Sequence, residues 1–195
     1  MKPVMGKATT DKTGLMNPET VRRKMENPEI DFIKPSLEYT KEVGDYRQEF
    51  LDVGDHMDGC GPLRKYDNPH EYIEVCTLKS NPDTAEAFGG HAEQFFLVRK
   101  PDKRLVGMAQ FRFGVDPKFC IGYSVRPSER RKGYAKMALQ NLLLWLKSQG
   151  KVSTTISCEP SNEASMKVIL SCGGKLIGTC TYKGIELMVF EIPIE

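Results

Sequence analysis

The chain has 195 residues, 28 of them basic and 26 acidic, for a net charge of +2, and 39% are hydrophobic. That length suits one domain, which can bury a full core without disulfide or metal staples. The near balance of charge excludes a surface coated for nucleic acid or for an anionic membrane, so any basic site must be local.

Residues 1–29 read as a polar appendage. The opening Met1-Lys-Pro-Val-Met-Gly has no apolar signal core, so a cytoplasmic protein is expected. Asn17-Pro18 is a cap and first-turn pair that predicts a short helix over Glu19–Glu26. The domain proper is read as 30–195. A short strand at Asp31–Lys34 is stopped by Pro35-Ser36, and Ser36 can cap the next helix. Leu37, Val43, Tyr46 and Phe50 then recur at near-helical spacing. Residues 52–69 hold Gly54, Gly59, Gly61, Pro62 and Pro69 and read as a loop. A short helix is expected over Glu71–Leu78. Asn81-Pro82 and Gly89-Gly90 mark a second irregular region. Two such loops in one compact domain suggest substrate binding.

From residue 92 the pattern turns to strands. Gln94–Arg99 is the first, and Pro101-Asp102-Lys103 is a turn. Leu105–Phe113 alternates, with Leu105, Gly107, Ala109, Phe111 and Phe113 on one face and Gln110 and Arg112 on the other. Phe119–Val125 is the third strand. A helix over 133–149 carries Ala135, Leu139, Leu142 and Leu146 on one stripe. Val152–Cys158 is a strand. Glu163–Cys172 is a second helix, with Ala164, Val168 and Cys172 four apart. Lys175–Tyr182 and Ile185–Ile192 form a hairpin across Lys183-Gly184.

The expected fold is therefore a mixed, mostly antiparallel α/β sheet flanked by helices, with a parallel strand–helix–strand crossover after the third strand. The longest wholly apolar run, Leu142–Leu146, is far too short to span a bilayer. The six cysteines form no Cys-x-x-Cys pair, so neither a disulfide framework nor a metal site is expected. Cys120, Cys158, Cys172 and Cys180 read as small buried hydrophobes.

The segment Val125-Arg-Pro-Ser-Glu-Arg-Arg-Lys-Gly-Tyr-Ala135 is a basic, glycine-containing turn between a strand and a helix. A helix N-terminus presents unpaired N–H groups and partial positive charge, which attract phosphate. Arg130, Arg131 and Lys132 add cations, and Gly133 lets the backbone approach a ligand closely. The turn is neither a Walker loop nor a dinucleotide fingerprint, because the required glycine spacings are absent.

It resembles the acyl-CoA-binding motif of the GNAT superfamily of N-acetyltransferases, Val-x-Pro-x-x-Arg/Gln-x-x-Gly-x-Gly/Ala. Here Val125, Pro127, Arg130, Gly133 and Ala135 stand in register. Asn162-Glu-Ala-Ser165 resembles the family's Asn-x-x-Ala helix start, and Cys172-Gly-Gly-Lys-Leu-Ile177 its passage into the next strand. The resemblance runs over about 30–195 and is most specific between 119 and 175. The run Gly122–Ala135 is similar to a branch of bacterial predicted acetyltransferases.

The resemblance implies acetyl-CoA as co-substrate, with no metal. Its pyrophosphate would rest on the backbone amides of Arg130, Arg131, Lys132, Gly133, Tyr134 and Ala135. Main-chain groups of Tyr123, Ser124 and Val125 would pair with the pantetheine arm, in a slot where that strand splays from the next. Asn162 and Ser165 would meet the cofactor arm, though Asn162 also reads as a plain helix cap. The implied reaction is direct attack of a primary amine, on a small molecule or a protein, at the thioester. A base must take the amine's proton and an acid can protonate the thiolate. Many members carry that acid as a tyrosine seven residues after the Asn, where this chain has Ile169. Tyr134, Tyr182 and Tyr123 are the other hydroxyls. Glu186 and Glu93 are the carboxylates considered as base, and His91 can titrate near neutrality. Each of these side chains also reads as an ordinary surface group, and Trp145 as core. A non-catalytic acyl-CoA-binding or sensing module is the alternative that Ile169 leaves open. Neither a nucleic-acid nor a membrane partner is expected. Homodimers are common among similar proteins. In the superfamily the acceptor is set by the early helices and loops, here 36–92. Glu71, Glu74, Asp83 and Glu86 there would suit a cationic amine.

Overall fold

A computed structural model of the chain describes residues 29–194. The helix expected over Glu19–Glu26, and all of the appendage except Glu29, lie outside the described residues. The described elements are β1 (Ile30–Ile33), α1 (Thr40–Asp52), α2 (Pro69–Ser80), β2 (Ala92–Arg99), β3 (Arg104–Arg112), β4 (Ile121–Val125), α3 (Tyr134–Ser148), β5 (Ser153–Cys158), α4 (Glu163–Ser171), β6 (Lys175–Tyr182) and β7 (Ile185–Pro193). Short helical turns at Leu37–Tyr39, Leu63–Lys65, Pro82–Ala85, Glu86–Phe88, Pro117–Phe119 and Pro127–Glu129 fill the connections.

The architecture is mixed α/β. β1-β2-β3-β4 form one antiparallel sheet and β5-β7-β6 a second. The crossover expected to continue one sheet instead links two. β4 and β5 share no ladder, because β5 takes β7 as its partner.

Two apolar clusters cover the faces of the first sheet. α3 lays Ala138, Leu139, Leu142 and Leu146 against Val106, Ala109, Phe111, Ile156 and Phe190. Ala135, expected on that stripe, is only half-buried, and Ala138 takes its place. On the other face α1 and α2 pack Val43, Tyr46, Phe50, Tyr72 and Ile73 against Phe96, Leu105 and Met108. Each fully buried Val, Leu, Ile, Phe or Met among them contributes about 1.5–3 kcal/mol.

One β-bulge corrects the expected strand pattern. Leu97 pairs with Gly107 but Val98 with Leu105, which leaves Val106 as the extra residue. Leu105 therefore joins Met108 on the α1/α2 face, while Val106 joins Ala109 and Phe111 on the α3 face. Gln110, expected on a polar face, is buried and donates to Gln94 at 3.2 Å. On α4 the buried residue is Ile169, whereas Ala164 is exposed, so the expected stripe is rotated. Cys120 and Cys158 are buried as expected, while Cys172 and Cys180 are only half-buried. Among the described residues no helix is long and apolar enough to cross a membrane.

Candidate active site

The strand–helix turn is anchored from below by buried ion pairs. Arg126 is nearly inaccessible, and its Nε donates to Glu49 at 2.6 Å and its Nη1 to Glu42 at 2.9 Å. Glu129, also buried, is engaged by Arg99 at 2.8 Å, Arg104 at 3.0 Å and Lys132 at 2.8 Å. Burial alone would raise the Glu129 carboxyl, but the bonds from Lys132 and Arg99 outweigh it and hold the group below the usual range. The base of the turn is thus fixed to α1 and β3.

Above this anchor the backbone turns left-handed twice, at Arg131 (φ 65°) and Gly133 (φ 84°). Gly133 precedes α3, and no side chain caps that helix. A Cβ at Gly133 would meet nothing within 4 Å, so its open side faces free space. The first helical N–H to find a partner is that of Met137, which donates to Gly133 C=O at 3.2 Å. The N–H groups of residues 131–136 have no partner among the described residues. Such a row can hold a diphosphate.

The cations beside this row are unequal. Arg130 is paired to Asp55 at 2.7 Å and lies 5.5 Å from the Phe50 ring centre. Lys132 is tied to Glu129. Arg131 makes no ion pair among the described residues. The backbone N–H groups, with Arg131 beside them, are therefore what the turn leaves free to meet an anion.

From the turn a continuous groove of about 1740 Å³ runs through the gap between β4 and β5 to the loops after α1 and α2. That exceeds the roughly 300–1000 Å³ of a one-ligand pocket, so two substrates can lie in it together. Of the eleven cofactor-binding candidates, all but Lys132 line this groove. In the gap, Tyr123 Oη lies 2.9 Å from Ser165 Oγ. Burial raises the Tyr123 phenol and the Ser165 bond partly offsets this. Asn162 caps α4, its Oδ1 accepting from Ser165 N–H at 3.0 Å, and it also lines the groove. The Ser124 hydroxyl turns away, to Tyr46 Oη at 3.0 Å and Cys60 Sγ at 3.1 Å, so only its main chain is offered.

The structure scatters the other candidates. Tyr134 lines the groove, but its hydroxyl accepts from Arg99 at 3.4 Å. Tyr182 packs on Phe119 with ring centres 4.6 Å apart and the rings tilted by 43°, at the hairpin end and outside the groove. Glu186 is exposed on the same hairpin, opposite Thr181. Glu93 is tied to Lys34, which lies over Phe95 and Trp145 on the α3 side of the sheet. Trp145 itself is half-buried against Phe95 and Phe111. His91 lines the groove, stacked on Phe113 at 4.0 Å. Ile169 is wholly buried in the main core, and Val168 is its neighbour that meets the groove.

Sequence reasoning passed over Asp58, which lines the groove where the loop after α1 meets β4. The glycines at 59 and 61 were its only signal. Among the described residues no cluster of His, Cys, Asp and Glu is arranged to hold a metal ion.

The sequence profile described as "Acetyltransferase (GNAT) family" matches residues 61–174, more than half of the chain. Over 129 residues the chain is 28% identical to the N-acetyltransferase YjdG of Bacillus subtilis (strain 168), itself uncharacterized, covering 65% of this chain and 73% of that protein. Two solved structures share the fold at lower identity. The Microcin C7 self immunity acetyltransferase MccE, solved with acetyl-CoA and AMP, superposes with a TM-score of 0.66 at 20% identity, over 86% of this chain and 94% of that one. RimL, a ribosomal L7/L12 alpha-N-protein acetyltransferase solved with coenzyme A, does so with a TM-score of 0.65 at 15% identity, over 86% and 96%.

Proposed function

The chain belongs to the acetyltransferase (GNAT) family, and on that premise we propose that it transfers the acetyl group of acetyl-CoA directly to a primary amine, both substrates lying in the groove. The observation that carries this reading is the continuity of the groove. It joins a row of unpaired N–H groups, a strand edge free of its neighbour and the loops after α1 and α2.

The residues fit the donor. The N–H groups of 131–136 would hold its diphosphate, with Arg131 as the untied cation. β4 has β3 on one edge only, so the main-chain groups that β3 does not take remain for the pantetheine arm, between Tyr123 and Val125. The bound donor supplies an activated acyl carbon. An N–H on that edge can stabilise charge developing on the thioester oxygen. The Tyr123–Ser165 hydroxyl pair stands in the same gap and can give a proton to the departing thiolate. It offers a hydroxyl on the strand side of the gap, since Ile169 has none to give. The acceptor bears a free amine, which is the kind of group that RimL, an alpha-N-protein acetyltransferase, acts on.

The test is thiol release from acetyl-CoA with a panel of primary amines: a peptide with a free N-terminus, a lysine blocked at its α-amine, and an aliphatic diamine. Amine-dependent release well above hydrolysis is expected for at least one. Tight binding of coenzyme A with no transfer to any would mark a binding or sensing module instead.

A further inference from the structure

The loop after α1 touches β4 through two glycines. A Cβ on Gly59 (φ 68°) would lie 2.4 Å from the carbonyl of Gly122 and from Tyr123 N, and a Cβ on Gly122 would lie 2.8 Å from Gly59 N. Only residues without side chains permit that approach. The contact is pinned on both sides. Gln94 Nε2 donates to Gly59 C=O at 2.8 Å and to Ala109 C=O at 3.0 Å, and Cys60, fully buried, meets the Ser124 hydroxyl. The residue before Gly59 is therefore held against the middle of β4, next to Tyr123, where the gap between the sheets opens.

That residue is Asp58. Its side chain is exposed to the groove and lines it. Its carboxylate makes neither a hydrogen bond nor an ion pair among the described residues, whereas the neighbouring Asp55 is spent on Arg130. The charged groups around it come from several elements. His56 and Asp55 share its loop, Arg112 comes from β3, and Glu159 follows β5. Although open to the groove, Asp58 is crowded by protein. That desolvation raises its carboxyl, Asp55 and Glu159 add to the rise, and His56 and Arg112 oppose it.

We propose that Asp58 is the general base of the transfer, taking the proton of the attacking amine. This rests on the acetyltransferase reading above. As the amine nitrogen bonds to the acyl carbon and the C–S bond breaks, one N–H proton passes to Asp58. The thiolate takes its proton from the Tyr123–Ser165 pair, and both groups return to their starting state by exchange with solvent. Base and acid thus flank the same gap, one from the α1 loop and one from β4 and α4. With Glu159 across the gap, both carboxylates attract the amine as its ammonium; that form gives its extra proton to solvent before attack, so Asp58 is still ionised when the N–H proton passes to it.

The test uses the full chain and the best amine of the panel. Asp58→Asn should bind coenzyme A as the wild type does by calorimetry, with kcat reduced by about 100-fold, the lower end of general base contributions. Asp58→Glu, which keeps the carboxylate, should retain more activity than Asp58→Asn. In the wild type, log kcat/KM should fall with a slope of one below the pKa of the amine and steepen toward two only below that of Asp58, where the base is protonated as well. In Asp58→Asn the slope should stay at one with no such steepening. An Asp58→Asn enzyme within threefold of wild-type kcat, or one that keeps the steeper acid limb, overturns the assignment. If the wild type itself transfers to no amine, the acetyltransferase reading fails first and this one falls with it.

Discussion

At the scale of single residues, Asp58 has a thermodynamic signature separate from catalysis. Its folded-state carboxyl is raised above the ordinary aspartate value of 3.8. The folded chain therefore holds that proton more tightly than the unfolded chain does. Between the ordinary and the raised value, stability falls as pH rises, and at neutral pH the ionised group is a net cost to the fold. Asp58→Asn should then melt no lower than the wild type at pH 7, and any advantage should vanish once pH drops below 3.8. Thermal unfolding of both proteins at the two pH values checks this, and a lower melting temperature for the variant at pH 7 contradicts it. A group that costs stability and carries activity is the pattern expected of a functional site.

Among elements, α4 shows how local pattern and packing part ways. The four-residue spacing of Ala164, Val168 and Cys172 is a fair helical stripe. The helix instead buries Ile169, because Gly174 brings the following strand so close that a Cβ there would lie 2.5 Å from the Ile169 side chain. No room is left for the larger hydroxyl-bearing ring that the family resemblance associates with this position. Ile169→Tyr should destabilise the protein by about 1–3 kcal/mol through overpacking, with no gain in kcat. Chemical denaturation and steady-state rates would show it, and a stable variant with raised kcat would contradict it. The turn before α3 is the opposite case. Its anchors Glu129 and Arg126 are buried, Glu49 is half-buried, and all three are paired, so the loop above them is preorganised while its N–H groups stay free.

For the molecule as a whole, what was legible in the sequence is what is contiguous. Strands, helices and the hairpin follow from period and punctuation, and the basic turn lies within one run of eleven residues, Val125–Ala135. What depends on distant contacts was not legible. The split into two sheets arises because β7 pairs β5 and so frees the edge of β4. The bulge at Val106 exchanges two faces of β3 without a glycine or proline to announce it. Asp58 owes its position to Gly59 meeting Gly122 across the fold, and no spacing along the chain encodes that meeting. The turn at one end of the groove is thus written locally, and the surroundings of Asp58 by tertiary packing.

The central claim is that the turn before α3 holds the diphosphate of acetyl-CoA, and titration calorimetry on Gly133→Glu tests it most directly. Gly133 has φ 84° and open space where a Cβ would stand, so a side chain there costs about 1–2 kcal/mol in backbone strain and leaves the fold intact. A carboxylate beside the phosphates should cost about 3 kcal/mol of binding, roughly a 100-fold loss in affinity for acetyl-CoA. Wild-type affinity in a folded Gly133→Glu protein would contradict the account.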